Sequence, residues 1–299
     1  MDNGTQYVKT SLNSCFVEVM GSSLHYLESG NGSTMLFLHG MPTSSYLWRH
    51  IIPELSQTCR CIAPDLVGMG LSDKPDIKYT VFEHIEHIEA FIEALELKDI
   101  TLVLHGWGSV IGFEYARRHP ENVVAVAFYE SHLRPILEWD MLSLPVQQLA
   151  AMLQEPSTGR RAVVERNYMI EQLLPSGAVD PLSDEVMSEY AKPFSNEDSR
   201  KLLWQYLSEL PIGSKKTLVV ELIEGYSKWL QSTDIPKLLL YAVPGFITTM
   251  DTVVWARDHL SNLTLESLED VMHFAQESSP NVFSNRLFKW YDHVNKGQL

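Results

Sequence analysis

The sequence predicts an α/β fold: a mostly parallel sheet flanked by helices, with a helical insertion between two of its strands. Three observations carry this. Short apolar runs alternate with helical patterns through the first 130 residues. From Ser131 to Ile212 no strand pattern appears. Apolar strand runs then resume at Lys237. Alternation of this kind builds a parallel sheet with right-handed crossovers.

Taken in order, Phe16–Val19 and Leu24–Leu27 flank Gly21-Ser22 and read as an edge hairpin. Met35–His39, Arg60–Pro64, Thr101–His105 and Val124–Glu130 are near-continuous apolar runs. That is the signature of strands buried on both faces. Between them, Ile85, Ile88, Phe91, Ile92 and Leu95 mark one face of a helix over His84–Leu95. In the insertion, Pro135, Pro145, Pro156, Pro175, Pro181, Pro193 and Pro211 bound successive helical segments. Strands follow at Lys237–Val243 and Leu263–Leu268, then a terminal helix around Val282–Tyr291. The expected organisation is a core of residues 1–130 and 213–299 with a helical cap at 131–212.

Bulk properties narrow the function. With 299 residues and 45% hydrophobic composition, the chain can bury a large core. The net charge is −15, and Lys and Arg form no basic run, which argues against nucleic acid or an anionic membrane as partner. No stretch of 18 apolar residues appears, and Met1-Asp2-Asn3-Gly4 does not open a signal peptide. Cys15, Cys59 and Cys61 make neither a disulfide framework nor a zinc spacing. The expectation is a cytoplasmic protein acting on a small apolar molecule, without metal or organic cofactor, its oligomeric state left open.

The chemistry gathers at three places. Leu102 to Val110 reads L-V-L-H-G-W-G-S-V, a strand, a Gly-rich turn and a helix start. That is the form of a nucleophile elbow, yet the position that would hold the reactive side chain is Gly106. Upstream, the strand ending in His39-Gly40-Met41-Pro42 is placed to offer the Met41 N–H to an oxyanion hole, paired with that of Trp107. Downstream, His273 sits in a loop after the last strand, where a triad histidine arrives in chain order, with Glu130 at a strand end to orient it.

These stretches, with Pro64-Asp65-Leu66-Val67-Gly68-Met69-Gly70-Leu71-Ser72-Asp73-Lys74-Pro75 and His273-Phe274-Ala275-Gln276-Glu277, resemble the haloalkane dehalogenases, in the branch that also holds the coelenterazine luciferases. The resemblance spans nearly the whole chain and implies an α/β-hydrolase fold with a helical cap. It implies an Asp nucleophile at the position of Gly106 and a halide-holding Asn at that of Met41. It also implies a second halide donor at Trp107, and a His base with a Glu partner at His273 and Glu130. Two of these positions depart from the family: Gly106 cannot attack carbon, and Met41 is apolar.

A retained acid–base pair without its nucleophile suits acid-promoted opening of an epoxide. His273 would protonate the ring oxygen, and the Met41 and Trp107 N–H groups would share the charge. With water excluded, the bulky natural-product-like substrate would rearrange or cyclise. Two alternatives stand beside it. In one, His273 is a base that activates water for epoxide or ester hydrolysis; in the other, the chain binds a small ligand without turnover. Among further candidates, His39 flanks the site and Asp251 is a rival to Glu130 as the acid. Tyr168, Tyr190 and Tyr206 of the cap are candidate proton donors beside His273. Asp65 and His105 read as structural.

Overall fold

The computed structural model describes residues 12–136, 138–153, 155–210 and 217–297. The N-terminal residues read for a leader, the expected boundary at 212/213 and the last two residues of the tail lie outside these. An eight-stranded sheet runs in the order β1-β2-β4-β3-β5-β6-β7-β8. The strands are β1 (Asn13–Val19), β2 (Ser22–Ser29), β3 (Thr34–Leu38), β4 (Arg60–Pro64), β5 (Ile100–Gly106), β6 (Val123–Ser131), β7 (Lys237–Tyr241) and β8 (Leu263–Ser267). β1–β2 and β2–β4 pair antiparallel, and every other pairing is parallel.

Burial explains why these segments are strands. Every residue of β3 and β5 is buried, so apolar side chains are satisfied on both faces. β1 alternates exposed and half-buried residues, as an edge strand does.

Helices cover both faces. α1 spans Val81–Ala94 and α2 Trp107–Arg118. α1 starts three residues before the expected His84, because Thr80 and Glu83 form a reciprocal capping box that fixes its first turn. The insertion is helical as expected, with α3 (Leu144–Leu153), α4 (Asp184–Ala191) and α5 (Glu197–Ser208) as its longer members. Two core helices lie where no element was assigned: α6 (Leu218–Ser232), which packs on α2, and α7 (Met250–His259). The terminal helix α8 (Pro280–Gly297) outruns its expected span at both ends. Among the described residues no helix is long and apolar enough to cross a membrane.

The parallel strands all end on one side of the sheet. The ends of β3, β5 and β6 and the loops after β7 and β8 therefore converge, which is where open α/β sheets place their sites.

Candidate active site

Gly106 stands between β5 and α2 at φ +53°, ψ −126°. Only glycine adopts this region without strain, so the sharp turn persists with no side chain at its tip. The tip is open: a Cβ built on Gly106 would lie 3.4 Å from Gly40 Cα and 4.0 Å from His273 Nε2. Ser109 Oγ donates to Gly106 O (2.6 Å), and the next turn of α2 thereby braces the elbow.

The loop after β3 closes against this turn. A Cβ on Gly40 would stand 3.0 Å from Trp107 N and 3.1 Å from Gly106 Cα, so only glycine permits the approach. Trp107 is the first residue of α2, where a backbone N–H has no acceptor within its own helix. The positive end of the α2 dipole thus faces the elbow.

His273 Nδ1 donates to Glu130 Oε2 at 2.9 Å. Glu130 is fully buried and sits at φ +48° at the end of β6, a strained conformation for a side chain with a Cβ. Its carboxylate also accepts from Phe246 N (3.0 and 3.1 Å) and Ile247 N (2.7 Å) in the loop after β7. These bonds hold the carboxylate in place, and the carboxylate fixes the proton of His273 on Nδ1. Nε2 is left facing Gly106.

An aromatic collar holds the imidazole, with ring centroids of Phe274 and His105 at 4.6 Å and of Phe246 at 5.0 Å. His105 Nε2 donates to His273 O (2.9 Å), and Phe274 N donates to Gly177 O (2.9 Å), which ties the loop to both β5 and the insertion. Burial, then the neighbouring His273, pushes His105 well below the usual imidazole range. It is a neutral brace.

Residues 33–280 match the family described as alpha/beta hydrolase fold. A haloalkane dehalogenase of Agrobacterium fabrum (strain C58) is 37% identical over 278 residues, covering 93% of this chain and 91% of that protein. The chain belongs to the haloalkane dehalogenase-like α/β hydrolases. Two solved members agree in three dimensions. Haloalkane dehalogenase DatA from Agrobacterium tumefaciens C58 matches with a TM-score of 0.90 at 36% identity, over 95% of this chain and 97% of that one. Haloalkane dehalogenase DbeA from Bradyrhizobium elkani USDA94 gives 0.92 at 30% identity, over 96% and 100%.

Within this dehalogenase-like frame, the remaining expected residues divide. Trp107 is buried beside the elbow, and Met41, half-buried, packs on the core next to Gly40. His39 does not face a ligand: its Nδ1 donates to Gly40 O (2.8 Å) and its Nε2 accepts from Leu66 N (3.0 Å). Both ring nitrogens are used by backbone, so its role is to shape the loop. Asp65 likewise holds backbone, accepting from Ser45 N and Leu71 N, and it also pairs with His25. It is Glu130, and among the described residues not Asp251, that bonds His273. Asp251 lies in the first turn of α7, its side chain is 69% exposed, and it pairs with Arg134.

Among the cap tyrosines, Tyr168 is half-buried against the core, and among the described residues no hydrogen bond joins it to His273, Glu130 or Trp107. Tyr190 donates to Glu277, which pairs with Arg49. Tyr206 of α5 is the one that reaches the elbow, its ring 5.4 Å from that of Trp107 and fully buried. His132 was not singled out from sequence. It packs edge-on to Trp107 at 5.3 Å, two residues beyond Glu130. The signal was its place just past the strand that carries the acid.

Proposed function

We propose that this chain opens an epoxide in a bulky apolar small molecule by proton donation and lets the product rearrange or cyclise without adding water. One observation carries the reading. The elbow is kept at φ +53° while its tip bears no side chain, and His273 Nε2 stands 4.0 Å from where one would start. The relatives named above are haloalkane dehalogenases. In the family pattern, carbon is attacked by an elbow carboxylate. Gly106 supplies none, so no alkyl ester forms here and halide displacement is not proposed.

The remaining groups act in sequence. His273, protonated on both nitrogens and held through Nδ1 by Glu130, gives the Nε2 proton to the epoxide oxygen. The carbon–oxygen bond breaks with its electron pair on oxygen, and the N-terminus of α2 and the Met41 N–H stabilise that oxygen. A group within the substrate fills the electron-poor carbon. Loss of a proton from the product to Nε2 restores the imidazolium. The Trp107 ring is the aromatic wall beside the developing cation.

A second reading keeps water. Membership of a hydrolase family favours it: neutral His273, whose Nε2 stands 4.0 Å from a Cβ on Gly106, would activate a water at the bare elbow as base. Consumption of aryl and prenyl epoxides by wild type, His273→Ala and Glu130→Gln tests both. Either reading requires turnover that falls with each substitution. Unchanged turnover in both variants contradicts the two together.

A further inference from the structure

We propose that Ser14, His25 and Asp65 form a separate catalytic triad, in which Ser14 is the nucleophile toward a carboxylic ester. It goes beyond the epoxide reading and shares no residue with the elbow. Ser14 Oγ stands 2.8 Å from His25 Nε2, and His25 Nδ1 stands 2.7 Å from Asp65 Oδ2. A serine, a histidine and a buried carboxylate linked in this way make an activated nucleophile, whatever their order in the chain.

The register of the β1–β2 hairpin builds the first link. Ser14 lies opposite Leu27 and Phe16 opposite His25, so all four project from one face. Phe16 packs on the imidazole, with ring centroids 5.1 Å apart. The second link comes from the loop after β4. Asp65 is buried and accepts from Ser45 N (2.7 Å) and Leu71 N (2.8 Å) besides His25. Burial would raise its carboxyl, but the His25 bond, then the nearby histidines and the Leu71 N–H, hold it below the usual carboxylate range. An ionised carboxylate only accepts. The His25 proton therefore sits on Nδ1, and Nε2 accepts from the Ser14 hydroxyl. The backbone is braced as well: His25 N donates to Ser72 Oγ (3.0 Å), and Asp65 N donates to His25 O (2.8 Å).

The three residues line a cavity of about 650 Å³, between the β1–β2 edge and the segment joining α4 to α5. That volume is in the range of small-molecule sites. His25 and Asp65 are buried and Ser14 is exposed, so the nucleophile meets what enters. Leu27, Leu71 and Pro193 supply apolar wall for the ester. Lys74 and Lys192 line the same cavity, and Lys192 is paired with Glu189, which leaves the Lys74 ammonium to meet an oxyanion.

In the reaction, Ser14 Oγ bonds the ester carbonyl carbon and its proton passes to His25 Nε2. The carbonyl electron pair moves onto oxygen and returns as the bond to the alcohol oxygen breaks. The alcohol leaves with the proton from Nε2. Water then attacks the acyl-serine and gives a proton to Nε2, which returns it to Ser14 Oγ as the acid departs.

The probes are p-nitrophenyl acetate and diisopropyl fluorophosphate. The second forms an oxygen–phosphorus bond to an activated serine, with fluoride leaving and the hydroxyl proton passing to His25. Wild type and Ser14→Ala are compared by release of nitrophenol and by intact and peptide mass. The expected result is one diisopropylphosphoryl group on Ser14, and ester turnover at least about 100-fold lower in Ser14→Ala. Absence of the label from Ser14 in wild type, or turnover that survives Ser14→Ala, overturns the proposal. The label is read on wild type, so it decides even if Ser14→Ala does not fold. Neither probe is an epoxide, so failure of the epoxide chemistry leaves both readouts in place.

Discussion

His273 Nε2 lies 4.0 Å from the point where a side chain on Gly106 would begin. The elbow and the imidazole keep the spacing of two groups that meet, and one of them has nothing to present. Restoring a side chain tests how intact the rest of the frame is. Gly106→Asp should fold, since its Cβ finds only Gly40 Cα at 3.4 Å and His273 Nε2 nearby. The positive φ should cost about 1–3 kcal/mol, read as a lower midpoint in denaturant. Combined with Met41→Asn it should release halide from a bromoalkane, measured by halide assay, while epoxide turnover falls.

The Glu130 carboxylate answers three donors at once: His273 Nδ1, Phe246 N and Ile247 N. Glu130→Gln keeps the shape and removes the charge. It should lower stability by about 2 kcal/mol, the scale of hydrogen bonds to a charged group. Turnover should drop by at least about 100-fold, because the ring loses both its orienting acceptor and the counter-charge for its protonated form. Chemical denaturation and initial rates separate the two effects.

Two buried histidines make the fold sensitive to acid. His132 and His84 are both pushed down to about 3, by burial first and then by neighbouring histidines. Below pH 6.5 the unfolded chain takes up protons on these rings, and the folded chain refuses them until about pH 3. The unfolded state then binds more protons, so stability falls as pH falls from 6.5 toward 3 and is flat above 6.5 on this account. Each ring should contribute up to about 1.4 kcal/mol per pH unit across that window. His132→Leu should remove one ring's share of the slope, as read from denaturation midpoints at pH 4.5, 5.5 and 7.

Asp251 provides the contrast. Its side chain is 69% exposed, and it pairs with Arg134, while His273 pairs with Glu130. Surface ion pairs of this kind contribute at most about 1 kcal/mol. Asp251→Asn should leave epoxide turnover within about twofold and the thermal midpoint nearly unchanged. A large loss of turnover would restore it as a candidate acid.

The inner parallel strands were legible closely, because burial on both faces leaves a run such as Met35–Leu38 no polar position to blur it. The elbow, Glu130 and His273 were legible because each stands at a strand end or in the loop just beyond one, where chain order predicts position. Helix α6 was not. Gly225 lies in its middle and weakens the helical pattern in sequence, although in the fold a Cβ there would make only an ordinary contact with Arg117 at 3.7 Å. The choice among Tyr168, Tyr190 and Tyr206 was beyond sequence as well. Which face of an insertion helix meets Trp107 depends on how the insertion packs, and periodicity shows only that a face is apolar. Asp251 illustrates the reverse error: a carboxylate after β7 has the right chain order, but α7 turns it outward to Arg134.

The central claim is that proton donation by His273 opens the ring and that water stays out of the product. Mass analysis of products formed in ¹⁸O-labelled water, by wild type and by His273→Ala, tests it most directly. The account expects a wild-type product of unchanged mass and no label, lost in His273→Ala. A product that gains one labelled water would contradict it and leave a hydrolase that works without an elbow nucleophile.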